Sequence, residues 1–197
     1  MTHRDTSLFP SEMKEINEIV DGQLGDMRPE GEAFSIDTYL FNTKLKKLKE
    51  FCEYHIEIYF NEIINPAPES KCMPYITQSW LSVIEPGKNF HRHSHCNSII
   101  SGVFYIATVE NDKIYFHDPN ILIKDRLEFK IRKYNQYNSK SWFFEIDALD
   151  LILFPSWLEH NVMHNVNQTT DRISLSFNTF ARGIFGNVAE LNELKLK

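Results

Sequence analysis

A chain of 197 residues is long enough to bury one sizeable core and gives no reason to expect a second. Its 42% hydrophobic and 13% aromatic content is that of a folded domain, which excludes a disordered chain. A net charge of −6 without a basic block removes the electrostatic basis for nucleic-acid binding, and no apolar run approaches the roughly 20 residues that span a bilayer. The N-terminal MTHRDTSLFPSEMKEI has no apolar signal-peptide core, and Cys52, Cys72 and Cys96 are odd in number without CxxC spacing. The expectation is a soluble, cytoplasmic protein with reduced thiols and no disulfide framework.

The first predicted element is a short acidic helix from Ser11 to about Val20, with Ser11 as N-cap after Pro10. The stretch from Asp21 to Ala33 holds three glycines and a proline and reads as loop. A second helix is predicted from near Asn42 to about Ile64. Leu45, Leu48, Cys52, Ile56, Tyr59, Phe60 and Ile63 recur at helical spacing, and Lys44, Lys46, Lys47 and Lys49 occupy the other side. Pro66 and Pro68 would stop it.

From Met73 the periodicity changes to that of strands. Runs at 75–84, 99–109, 113–116, 122–131, 142–146, 149–154, 161–165 and 172–180 are rich in β-branched and aromatic residues and separated by turn dipeptides such as Pro86-Gly87 and Asn111-Asp112. About eight strands without intervening helices point to an antiparallel sandwich or barrel. The tail, 187–197, reads as one or two helical turns, and the Asn- and Tyr-rich segment Lys133–Ser141 as a rim loop. One domain is expected, with a helical support region over 1–70, a β core over 73–182 and a tail over 183–197.

Two strands carry a pattern of faces. In Arg172-Ile173-Ser174-Leu175-Ser176-Phe177-Asn178 every even position is polar and every odd one apolar. Either the polar face meets solvent, or it lines a lumen that holds a polar ligand. Ser101, Val103, Tyr105 and Ala107 share a face, opposite Gly102, Phe104 and Ile106, which suits a phenol hydroxyl in a polar cavity.

The segment Phe90-His91-Arg92-His93-Ser94-His95 places three histidines two apart, so that in an extended chain they share one face. Neutral imidazole is a ligand for iron, zinc, copper and nickel, and three protein ligands on one side of an ion leave positions open for substrate and dioxygen. His93 and His95 fit the pair best, with Cys96-Asn97-Ser98 turning into the next strand; His91 is the alternative partner of His93. His160 is the downstream third ligand, while His164 and His117 read as packing or solvated groups. Arg172 follows His160 and can grip a carboxylate with two parallel hydrogen bonds, which lysine cannot do, and Ser174 adds a hydroxyl on the same face. An arginine opposite a metal is what a dicarboxylate cosubstrate requires. The bland alternative is a surface salt bridge of Arg172 with Asp171 or Glu159.

Residues 78–181 resemble the small bacterial and phage branch of the 2-oxoglutarate/iron(II)-dependent oxygenases, close to its prolyl-hydroxylase-like members. The likeness is carried by His93-Ser94-His95-Cys96-Asn97-Ser98, Ser101-Gly102-Val103-Phe104-Tyr105, Phe154-Pro155-Ser156-Trp157-Leu158-Glu159-His160 and Arg172-Ile173-Ser174-Leu175-Ser176-Phe177-Asn178. It implies a mostly β fold with N-terminal helices and a double-stranded β-helix (jelly-roll, cupin-like) core. It further implies Fe(II) on the paired motif and His160, 2-oxoglutarate with its distal carboxylate on Arg172, and Tyr105 as a hydrogen-bond partner of that carboxylate. The implied activity is hydroxylation of a protein side chain, such as prolyl, or of a small molecule, using O2 and converting 2-oxoglutarate to succinate. One departure stands out: His-x-His replaces the family's usual His-x-Asp or His-x-Glu, which removes one negative charge from the site. Either three histidines hold the metal or an acid from elsewhere, with Asp118 the candidate, completes the set. Two other readings follow the same residues. One is a cupin-type three-histidine metalloenzyme that does not use 2-oxoglutarate, the other a non-catalytic carboxylate-binding barrel.

Overall fold

The computed structural model describes residues 10–120, 129–163 and 169–197. Helix α1 (Pro10–Gly22) is followed by strand β1 (Glu32–Phe34) and helices α2 (Leu40–Thr43) and α3 (Lys46–Tyr59). Among the described residues nine further strands come next: β2 (Met73–Ile84), β3 (Phe90–His93), β4 (Ile100–Ala107), β5 (Lys113–His117), β6 (Ser141–Glu145), β7 (Leu151–Pro155), β8 (His160–Val162), β9 (Arg172–Phe185) and β10 (Leu194–Leu196). They form two antiparallel sheets. The larger has the order β1-β2-β9-β4-β7, with β10 beside β9, and the smaller is β3-β8-β5-β6. This is the antiparallel sandwich that the strand count implied, and the jelly-roll core that the family resemblance implied.

Each face of the larger sheet has its own partner. Leu81, Ile100, Phe104, Leu175 and Phe177 pack on Ile16 and Ile19 of α1 and on Leu40, Leu48, Cys52 and Ile56 of the next two helices. Val103, Tyr105 and Phe154 turn the other way and meet Ile114 and Phe116 of the smaller sheet. The alternation in β9 therefore resolves with its polar side inward: Arg172, Ser174 and Ser176 line a cavity between the sheets, and Leu175 and Phe177 lie under the helices. Gly102 lets β4 and β9 approach, since a Cβ there would lie 2.1 Å from the Phe177 ring.

The helical region departs from the sequence expectation. The single helix expected from Asn42 to Ile64 is broken at Leu45, whose backbone is left-handed (φ 57°). The apolar stripe alone could not reveal this, because both helices share it. What makes the break is a contact distant in sequence: Glu15 accepts from the Leu45 N–H (2.8 Å), and buried Glu12 accepts from the N–H groups of Lys47 and Leu48. Two α1 carboxylates thus cap the start of α3, where backbone donors are unpaired and the helix dipole is positive. After Tyr59 a π-helical turn (Phe60–Ile64) ends at left-handed Asn65, one residue before the prolines.

Other boundaries also shift. The expected loop 21–33 contributes Glu32 and Ala33 to β1, which pairs with β2. The tail gives a short 3₁₀ turn (Val188–Glu190) and then a strand rather than helix, because β9 runs on to Phe185 and offers Leu194–Leu196 an edge. The expected strand 122–131 lies largely outside the described residues, and 129–131 are irregular. Lys133–Ser141 is irregular up to the start of β6. Among the described residues no helix is long and apolar enough to cross a membrane.

Candidate active site

His93 is the last residue of β3 and pairs in register with His160, the first residue of β8. His95 lies two residues beyond the strand and is held by its backbone N–H on the Ser156 carbonyl (2.9 Å), in the turn that delivers His160. The chain then turns at left-handed Asn97 and enters β4. The outcome is three imidazoles at one end of the cavity, with ring centroids 4.3 Å (His93–His160), 5.1 Å (His93–His95) and 5.2 Å (His95–His160) apart. One ring nitrogen from each lies within 4.8 Å of the others.

The hydrogen bonds set the tautomers. Nδ1 of His93 donates to the His91 carbonyl (2.9 Å) and Nδ1 of His160 to the Leu158 carbonyl (3.1 Å). A carbonyl can only accept, so in both rings the lone pair is left on Nε2. Burial, with the neighbouring His93 adding to it, pushes His95 down to about 4 and His160 down to about 3, and burial lowers His93 as well. All three are neutral at pH 7, as metal ligands must be. Nε2 of His95 and Nε2 of His160 are 3.4 Å apart. Two metal–nitrogen bonds of about 2.1 Å, at angles of about 90° to 110°, place their donors roughly 3.0–3.4 Å apart. The His95–His160 pair therefore fits one ion, and a ring nitrogen of His93 lies close by.

His91 stands beside this cluster rather than in it, with its ring 5.1 Å from that of His93 and its Nδ1 3.9 Å from a Glu32 oxygen. Asp118 accepts from the Asn120 N–H (2.8 Å) and is not among the converging groups. His117 bonds Asn161 (2.7 Å), and His164 lies outside the described residues.

The cavity, about 440 Å³ of empty space open to solvent, runs from the histidines to Arg172. Trp80, Ile84, Phe90, Val103 and Ile114 give it apolar walls, and Ser82, Ser174 and Ser176 give it hydroxyls. Arg172 is 4% exposed and pairs with neither Asp171 nor Glu159. Its Nε donates to Asp112 at 2.7 Å, while Glu159 meets Arg92 instead. The guanidinium lies over the Tyr105 ring at 4.9 Å. Arg172 Nη2 and the Tyr105 hydroxyl are both buried and have no hydrogen-bond partner among the described residues. Burial pushes the Tyr105 phenol up to about 12, so it keeps its proton. Two buried donors without an acceptor are costly, and they fit a ligand carboxylate.

A family model for 2OG-Fe(II) oxygenases matches residues 78–178, slightly more than half of the chain. The chain belongs to this family. It is a 2-oxoglutarate/Fe(II)-dependent dioxygenase, with Fe(II) as cofactor and 2-oxoglutarate as cosubstrate. No curated protein matches the sequence. Among solved structures, a 2OG-Fe(II) oxygenase family oxidoreductase from Burkholderia pseudomallei is 10% identical with a TM-score of 0.59, covering 91% of this chain and 82% of its own. A Pseudomonas putida prolyl-4-hydroxylase is 14% identical with a TM-score of 0.53, covering 90% and 91%. The epimerase SnoN, in complex with Fe3+, alpha ketoglutarate and nogalamycin RO, is 8% identical with a TM-score of 0.61, covering 97% and 82%. At these identities the likeness is one of fold.

Sequence reasoning missed part of the oxygenase's cavity. Trp80, Ser82 and Ile84 of β2 lie opposite Ser176, Ser174 and Arg172 of β9. Their spacing of two within the predicted strand 75–84 was the available signal. Asp112 gave none, because a single acid in a turn is indistinguishable from a solvated one.

Proposed function

We propose that His93, His95 and His160 hold Fe(II) on one side of the cavity, and that Arg172, Tyr105 and Ser174 receive the distal carboxylate of 2-oxoglutarate on the other. The observation that carries this reading is the pair of orphaned buried donors, Arg172 Nη2 and Tyr105 Oη, lining the same cavity as three neutral imidazoles. When bound, Fe(II) would supply the oxidation, in which 2-oxoglutarate and O2 give succinate and CO2, one oxygen atom entering succinate and the other a C–H bond of the substrate. The backbone carbonyls of residues 91 and 158 keep Nε2 of two ligands aimed inward. Phe154 and Phe116, with ring centroids 4.6 and 6.0 Å from that of His160, exclude water from one side of it. Arg172 and Tyr105 fix the cosubstrate by donating to its far end, and Ser174 adds a hydroxyl.

The buried guanidinium at the end of the cavity favours this reading over a cupin-type enzyme without 2-oxoglutarate, in which Arg172 would have no task. For the substrate, the likeness to a prolyl-4-hydroxylase supports a protein side chain, prolyl among them; the likeness to an epimerase supports a small molecule. The Fe(II)-loaded protein should form succinate from 2-oxoglutarate, and a proline-containing peptide should gain one oxygen by mass. Succinate formation that survives Arg172→Ala, or tight binding of one equivalent of Fe(II) by His160→Ala, would overturn the residue assignment.

A further inference from the structure

We propose that Asp112 is a positioning residue for the cosubstrate: it locks Arg172 so that only one edge of the guanidinium is presented, and so sets the length of dicarboxylate the cavity accepts. This inference rests on the functional reading above.

The geometry of the pair is constrained on both sides. Asp112 is 5% exposed and sits in the β4–β5 turn, next to left-handed Asn111. One carboxylate oxygen accepts from the Lys113 N–H (2.8 Å), the other from Arg172 Nε (2.7 Å). Its backbone is also fixed, since the Asp112 carbonyl accepts from the Ile146 N–H (3.0 Å). Arg172, fixed at Nε by Asp112 and stacked on Tyr105, cannot swing along the cavity axis. Its free donor is Nη2, on the same guanidinium whose Nε is already occupied.

Such a pair has two opposing effects on an incoming dianion. The Asp112 charge offsets that of Arg172, which weakens long-range attraction. The orientation it imposes makes the remaining donors directional, so that a carboxylate arriving at the wrong depth finds Nη2 and Tyr105 Oη misaligned. Affinity is then given up for discrimination. A loosened guanidinium would follow ligands of different length, and the preference would fade.

The test uses the Zn(II)-loaded full chain, so that no turnover is read. Calorimetry should show wild type binding 2-oxoglutarate at least about tenfold more tightly than 2-oxoadipate, its homologue with one more methylene. In Asp112→Asn an amide cannot accept from both the Lys113 N–H and Arg172 Nε, and the preference should fall to within about twofold. A destabilised but ligand-binding variant that kept the wild-type preference would overturn the proposal, since a purely structural role moves stability and not selectivity. A second measurement needs no change at Asp112. In 1H–15N spectra of the wild type, with the resonance assigned by its loss in Arg172→Lys, the Arg172 Nε–H should exchange slowly both before and after 2-oxoglutarate is added. Its disappearance on addition would mean that the ligand displaces Asp112, and would sink the proposal. Wild type that binds no 2-oxoglutarate would end the functional reading and this inference together; a preserved length preference in Asp112→Asn would end this inference alone.

Discussion

At the scale of single residues, the site depends on groups whose charge states are set by burial. His160, 5% exposed, is a ligand-ready imidazole because desolvation keeps it neutral. Arg172 is the opposite case, a buried cation sustained by a neighbouring anion. Removing one partner of such a pair strands the other, at a cost of about 3–5 kcal/mol. Arg172→Met should therefore lower the unfolding free energy by about that amount in urea titration, and Arg172→Met with Asp112→Asn should recover most of it. If the double variant is no more stable than the single, the pair does not carry the stability assigned to it. Gly102 shows a steric limit of the same order. An alanine Cβ would fall 2.1 Å from Phe177 and 2.8 Å from Leu153, so Gly102→Ala should cost about 1–3 kcal/mol and shift the melting temperature accordingly.

At the scale of elements, the informative junction is between α1 and α3. Glu12 looks like an ordinary first-turn acid of an amphipathic helix, yet its carboxylate is buried against the N-terminus of another helix. Glu12→Ala should destabilise the protein by about 1–2 kcal/mol through the lost cap, whereas Lys14→Ala, on an exposed side chain, should be nearly neutral. Chemical denaturation distinguishes the two; equal effects would mean that α1 acts only by apolar packing. The sheets behave differently. Their strand positions follow the alternation of residues closely, because a strand with one polar and one apolar face has a single register that buries the apolar set. The helix break at Leu45 has no comparable local signature.

At the scale of the whole molecule, the proposed metal site joins β3 and β8 of the smaller sheet to the turn between β3 and β4, so an ion should tie together segments distant in sequence. Saturation to 100 times the dissociation constant adds about 2.7 kcal/mol to stability. Zn(II) or Fe(II) should raise the melting temperature, a chelator should reverse the rise, and His160→Ala should show none of it. A wild-type melting temperature unmoved by either ion would argue against a single closed site.

Read alone, the chain determined most of the core strands, though not β1, β3 or β10, the two-faced β9, the histidines and arginine proposed for the site and the family they resemble. All of these are local: a period of two, a spacing of ligands, a residue type suited to one chemistry. Only the tertiary structure decided that the polar side of β9 faces inward, that the helix breaks at Leu45, and that His93, His95 and His160 converge while His91 stands aside. It alone supplied Asp112 as the partner of Arg172, 60 positions away. Each of these depends on the free energy of a buried polar group, and burial is a property of neighbours that sequence order does not record.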